Sequence, residues 1–320
     1  MPRSTKFGID WARAWGQLGQ TAKGGMPTSP QPPTALLATL AATYVPSTNH
    51  AGPVRILAYG DSLTQGCTTI KNCGANSTTY PYAHSVQRLL DSQHPGVVKM
   101  TPIGHVGWMA SQMATDLAEH LYGLRPDVVI ITAGGNDASN IFKANMVDKT
   151  HFRLPNQAER DRIIRDIRKL HSIAHAFGAK TIAMGYPDMH CVHVVPNATN
   201  ELFKFNRRFE MESGADFYVD LPSLMPHAEV IAKGWQAHDR MHYTRAGHLS
   251  LGTRVAPKIS QALVKWGFYP SDEKAMKALA AAAAASFNDP DVDDDGSDGE
   301  GDDEPYDYGD DSETPVQAMM

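Results

Sequence analysis

Between Val54 and Trp266 the chain alternates, unit after unit, between apolar runs of strand length and segments whose apolar residues recur at helical spacing. A strand buried on both faces is apolar throughout, and a parallel neighbour is reached only by a crossover long enough to hold a helix. The alternation therefore predicts an α/β domain, a three-layer α/β/α sandwich around a five-stranded parallel sheet. Strands are expected at Val54–Tyr59, Val97–Ile103, Asp127–Thr132, Lys180–Gly185 and Asp216–Leu221. "DVVIITAGG" is the most continuous of them, which places it centrally, whereas Pro102 suits only an edge strand.

The helices are marked as clearly. Ile163, Ile167, Leu170, Ala174 and Phe177 share a face ahead of Gly178, and Leu251, Val255, Ile259, Leu263 and Trp266 share another between a Thr244 cap and Gly267. Five βα units fit within residues 54–268. Before them, residues 1–53 read as an N-terminal extension with the Pro-rich linker "GGMPTSPQPPT". After them, residues 269–287 read as an Ala-rich helix and residues 288–320 as an acidic disordered tail too poor in apolar residues to pack.

That tail hides the character of the body. Of the 35 acids, 14 lie between Asp289 and Glu313, so the net charge of −6 covers a remainder with 21 acids against 29 Lys and Arg. The remainder has no Lys/Arg run longer than a pair and no basic motif interleaved with aromatics, which argues against nucleic acid as a partner. A basic partner for the acidic tail fits better. No stretch approaches the roughly 20 apolar residues of a membrane span. The N-terminus lacks the apolar segment of an ordinary signal peptide, so a cytoplasmic location is expected, with secretion as the alternative that the sequons at Asn76 and Asn197 keep open. Cys67, Cys73 and Cys191 are too few for a disulfide scaffold and are expected reduced, although Cys67 and Cys73 are near enough in sequence to bridge.

In such a fold the strand ends share one rim, and the polar residues that follow them share a site. Four stretches qualify: "GDSL" with Ser62 after the first strand, "GHVGWMAS" with Gly107 after the second, "GGND" with Asn136 after the third, and "HDRMHYTRAGH" with Asp239 and His242 before the last helix. Each alone is an ordinary turn or cap. Together they supply a hydroxyl nucleophile, an imidazole base, a carboxylate three residues away to orient it, and donors for an oxyanion: the Ser62 and Gly107 N–H groups and the Asn136 amide. Asp61 is read as a cap for the segment that follows it.

These four blocks resemble those of the GDSL or SGNH hydrolases, a family of esterases, lipases, thioesterases and carbohydrate acetylesterases, over residues 54–266. The resemblance implies a flavodoxin-like strand arrangement, Ser62 as nucleophile, Gly107 and Asn136 in the oxyanion hole, and Asp239 and His242 of "DRMH" as triad partners. Met109 and Ala110 replace a small hydroxylated residue common in the second block, and Gly104 is the nearby rival to Gly107. The expected function is a serine esterase or acylhydrolase, cleaving short-acyl or acetyl esters of a small molecule, carbohydrate or lipid through an acyl-enzyme, with no cofactor and no metal. The alternatives are a non-catalytic ligand-binding module and a metal-dependent phosphohydrolase.

Other metal-like patterns fit less well. His171 and His175 lack the Glu of a zinc HExxH motif, "HCVH" at His190–His193 falls in a loop, and "DVDDDGSDGEGD" has Asp302 where a calcium loop ends in Glu. The segments expected to shape the substrate cleft are "CTTIKNCGANSTTYP", residues 138–157 and "PDMHCVHVVP".

Overall fold

The computed structural model describes residues 52–69, 73, 77–144, 155–188 and 198–271, with scattered positions from 273 to 281. Most of the N-terminal extension, the acidic tail with its calcium-like stretch, both sequon asparagines, Cys191 and "HCVH" lie outside the described residues.

The strands are β1 (Val54–Gly60), β2 (Val98–Gly104), β3 (Val128–Thr132), β4 (Lys180–Met184) and β5 (Phe217–Val219). All pair in parallel in the order β2-β1-β3-β4-β5, so β3 is central and β2, with Pro102 opposite Ala58, is an edge. Each observed strand falls within a residue or two of the expected span. Alternation along a strand divides the core. Val54, Ile56 and Ala58 of β1 and Val128 and Ile130 of β3 face one layer, while Leu57, Tyr59, Val129 and Ile131 face the other.

The helices are α1 (Ser62–Gln65), α2 (Tyr82–Gln93), α3 (Ala110–Leu124), α4 (Gly135–Ala144), α5 (Gln157–Ala176), α6 (Ala198–Glu212), α7 (Leu221–Leu224), α8 (His227–Ala232) and α9 (Arg245–Lys265). Layer one is α2 and α9, joined through Leu90, Val86, Val255, Ile259 and Leu263; layer two is α3, α5 and α6, joined through Leu117, Leu121, Ile163, Ile167, Leu170 and Phe209. Thr244 caps α9 by accepting from the Gly247 N–H, as its position suggested, and Asn156 with Glu159 forms a reciprocal capping box on α5. Residues 138–144, the start of the segment expected to shape the cleft, lie in the helix α4, which has Asp137 in its first turn.

The strand order reverses between β1 and β3. In such sheets the crevice outside the carboxyl ends of the strands at that reversal is the binding place, and Ser62 and Asn136 lie in the first helical turns that follow these two strands.

Candidate active site

Ser62 begins α1 immediately after β1. Asp61, fully buried at the N-cap, accepts the Leu63 N–H through Oδ1 (3.0 Å) and the Tyr186 hydroxyl through Oδ2 (3.1 Å). Asp61 thus sets the strand-to-helix bend, the role its sequence position suggested. Burial pushes its carboxyl pKa up, against these hydrogen bonds and the His242 charge. The Ser62 N–H belongs to the first turn, where no intrahelical acceptor exists.

The residues expected to act together lie in a hydrogen-bonded line. Ser62 Oγ is 2.8 Å from His242 Nε2, and His242 Nδ1 is 2.6 Å from Asp239 Oδ2. The Asp239 carboxylate only accepts, so Nδ1 carries the imidazole proton and Nε2 is left to accept from the Ser62 hydroxyl. Through Oδ1, Asp239 also accepts the N–H groups of Met241 (3.0 Å) and His242 (2.9 Å), closing a tight turn in which Arg240 has φ 60°. Burial raises the Asp239 pKa, but the His242 hydrogen bond and charge outweigh it, so the group is held below the usual carboxylate value. Ser62 and His242 are buried while Asp239 keeps some solvent contact.

The turn after β2 carries Gly107. The His105 N–H donates to Gly60 O, and the Trp108 N–H donates to His105 O, with Gly107 between them at φ 75°, a conformation costly for any residue with a Cβ. A Cβ on its rival Gly104 would lie 2.3 Å from the Gln65 backbone N, so that glycine is required by the close packing of β2 on α1. The Asn136 amide, at the start of α4, donates to Trp108 O at 3.0 Å. One bond thus couples the turn after β2 to the turn after β3 and fixes the Asn136 plane.

Some supporting residues had no visible sequence signal. Asp137 Oδ2 accepts the Ala110 N–H at 2.9 Å, capping α3 from α4, and burial raises its pKa to about 6, with Asp166 adding to the rise. His248, buried in α9, donates to Cys67 O at 2.8 Å, and burial lowers its pKa to about 4, so it is neutral. These contacts join residues 27 and 181 positions apart. A contrary finding concerns the cysteines: Cys67 and Cys73 are disulfide-bonded, with Cα atoms 5.2 Å apart, not reduced as expected. Cys67 follows the Gly66 C-cap of α1 and is fully buried, so the bond pins the loop after the nucleophile to the end of α1. His171 and His175 form no metal pair. The first points into the core and the second lies 2.8 Å from Asp216.

A cavity of about 310 Å³ lies near the ends of β4 and β5, lined by Asp188, Phe203, Asn206, Tyr218 and Asp220 among others, and does not include Ser62. No helix among the described residues is long and apolar enough to cross a membrane.

Residues 58–249, more than half of the chain, match the model of the GDSL-like lipase/acylhydrolase family. The chain belongs to this family, and it is a hydrolase acting on ester bonds. Comparison with curated proteins gives no match. Among solved structures it is similar to a variant of an acetyl xylan esterase from Geobacillus stearothermophilus (21% identity over 69% of this chain and 99% of that one, TM-score 0.47). It is also similar to a lipase/acylhydrolase from Enterococcus faecalis (18%, 64% and 94%, TM-score 0.45). A third is the psychrotrophic esterase EstA from Pseudoalteromonas sp. (14%, 66% and 99%, TM-score 0.49).

Proposed function

We propose that the protein is a serine esterase that cleaves short-acyl or acetyl esters through an acyl-enzyme on Ser62. The observation that carries this reading is the line from Ser62 Oγ through His242 to Asp239, at 2.8 and 2.6 Å. A serine hydroxyl becomes a useful nucleophile when a neutral imidazole takes its proton, and the carboxylate behind it stabilises the imidazolium that forms.

In the first step Ser62 Oγ attacks the ester carbonyl carbon while His242 Nε2 takes its proton, and the carbonyl π pair moves onto oxygen. The Ser62 and Gly107 N–H groups and the free amide hydrogen of Asn136 are the donors for that oxyanion. Its collapse breaks the bond to the alcohol oxygen, which leaves with the proton from His242. Water, deprotonated by His242, then attacks the acyl-serine; collapse releases the acid and returns the proton to Ser62. No cofactor enters these steps.

The preference for short acyl groups rests on the mixed polar and basic character of "CTTIKNCGANSTTYP" after Ser62 and of "PDMHCVHVVP". The acetyl xylan esterase likeness points the same way without carrying the argument. The test is hydrolysis of p-nitrophenyl acetate, butyrate and palmitate by wild type and Ser62→Ala, with chelator in a parallel sample. Turnover of the short esters that disappears in Ser62→Ala at unchanged melting temperature is the expected result. Activity that survives Ser62→Ala but not chelator would remove Ser62 as nucleophile and replace this reading with a metal-dependent hydrolase. Preference for palmitate would overturn the short-acyl assignment alone.

A further inference from the structure

The turn that carries Gly107 begins at a side-chain cluster that ester hydrolysis does not use. His105 follows β2 directly, and Asp116 and His120 stand four apart on α3, where side chains share a face. His105 Nε2 lies 2.9 Å and His120 Nε2 2.8 Å from the same atom, Asp116 Oδ2. One potential ligand atom from each residue lies within 4.8 Å of the others, and among the described residues no other group of three His, Cys, Asp or Glu side chains converges this way.

Hydrogen bonding alone accounts poorly for this cluster. His105 Nε2 is buried, and its close approach to Asp116 makes no hydrogen bond of acceptable direction. Asp116 Oδ2 already lies 3.1 Å from the Tyr59 hydroxyl, which is 2.9 Å from Met113 O. With the two imidazoles this puts three neighbours around one carboxylate oxygen that has two lone pairs, while the single Tyr59 hydroxyl hydrogen is shared with Met113 O. A cation among the three resolves this, since both imidazoles and the carboxylate then offer lone pairs to one centre.

The surroundings are those of a built metal site. The His105 ring stacks on Trp108 with centroids 4.1 Å apart and meets Tyr59 edge-on at 5.2 Å; the His120 ring lies 5.9 Å from Tyr59. These contacts limit how the imidazoles rotate. Tyr59, wholly buried, is placed to orient the carboxylate, as outer partners of metal ligands do. Side-chain exposures of 16, 25 and 28% leave a path for an ion and a fourth position for water. Zinc bonds of about 2.0–2.2 Å in tetrahedral geometry space ligand atoms by roughly 3.4 Å, within about 0.6 Å of the two His–Asp separations of 2.9 and 2.8 Å.

We propose that His105, Asp116 and His120 bind one divalent transition-metal ion of the zinc class, with two nitrogen ligands, one oxygen ligand and water in the fourth position. The donor set fits zinc and cobalt better than magnesium or calcium, which prefer oxygen throughout. The ion is structural: it clips the turn after β2 to α3 and so steadies the backbone around Gly107. This holds whether or not the esterase reading does.

The experiment uses the full chain, stripped with chelator and dialysed, then titrated with zinc against a chromophoric competitor and with cobalt while the visible spectrum is followed. Wild type should bind one zinc tightly, show the intense bands of four-coordinate cobalt, and melt at higher temperature with zinc. His120→Ala should weaken zinc at least ~100-fold and lose the bands and the melting shift; Tyr59→Phe should weaken it ~10-fold. Should His120→Ala fail to fold, Asp116→Asn serves in its place, with the same expectation. Absence of stoichiometric zinc binding by wild type overturns the proposal. So does binding that these variants leave intact, which would locate the metal elsewhere in the chain.

Discussion

Asp239 is placed to do two jobs with two oxygens. Oδ1 holds the turn through the Met241 and His242 N–H groups, and Oδ2 takes the His242 ring proton. An asparagine can keep the first job but presents an N–H to the ring, forcing the imidazole proton onto Nε2, where it can no longer accept from Ser62. Asp239→Asn is therefore expected to fold with little change in melting temperature while kcat falls by about 10⁴, as in triads where the same tautomer is lost. Asn136 differs, because its task is to donate. Asn136→Ala should lower kcat by about 100-fold with little change in KM, and steady-state kinetics on p-nitrophenyl acetate would separate the two. Both residues were legible in the sequence because each lies in a short block, Asn136 after the third strand and Asp239 before the last helix; Asp137, next to Asn136, was not. Its partner Ala110 is 27 positions away, and no local pattern announces such a pairing.

Helix ends carry much of the coupling between turns, and Asp137 shows the consequence for pH. Its folded pKa of about 6 lies above the ordinary value of about 3.9, so between these limits the folded state binds more protons than the unfolded one. Stability from this group is full below about pH 3.9 and is lost as pH rises to about 6. Asp137→Asn keeps an oxygen to accept the Ala110 N–H and removes the charge. It should be more stable than wild type above pH 6 by roughly 3 kcal/mol, with the difference shrinking towards pH 4, measured by urea unfolding across that range. Another tie joins α9 to α8: Arg254 is buried, pairs with both Glu229 oxygens at 2.9 and 2.6 Å, and stacks over Trp235 at 4.6 Å. Arg254→Ala should cost about 3 kcal/mol of stability and leave kcat/KM unchanged at temperatures where it is folded. The strands were readable to within a residue or two because burial on both faces leaves continuous apolar runs. Arg254 was unreadable because a buried charge in a helix resembles a surface one until its partner is known.

For the whole molecule, the sheet order follows from chemistry visible in the chain: Pro102 marks an edge, "VVIIT" a centre, and the reversal between β1 and β3 gathers Ser62 and Asn136 at one rim. What the sequence concealed are contacts of the finished fold, namely the Tyr186–Asp61 contact across 125 positions and the His105–Asp116–His120 cluster. Each depends on distances that exist only after folding. Charge is a further property of the whole chain, since 14 of its 35 acids lie between Asp289 and Glu313. Removing residues 289–320 should reverse the net charge from −6 to roughly +8, seen as a switch from anion- to cation-exchange binding at pH 7, with kcat/KM for a neutral ester unchanged.

The central claim is that Ser62 carries the acyl group. The most direct measurement is intact-mass and peptide analysis after reaction with a fluorophosphonate, whose phosphorus accepts a nucleophilic oxygen as fluoride leaves. The account predicts one added phosphonyl group, located on Ser62, and slow or absent labelling in His242→Ala. Labelling at another residue, or none in a wild-type sample that hydrolyses esters, would contradict it.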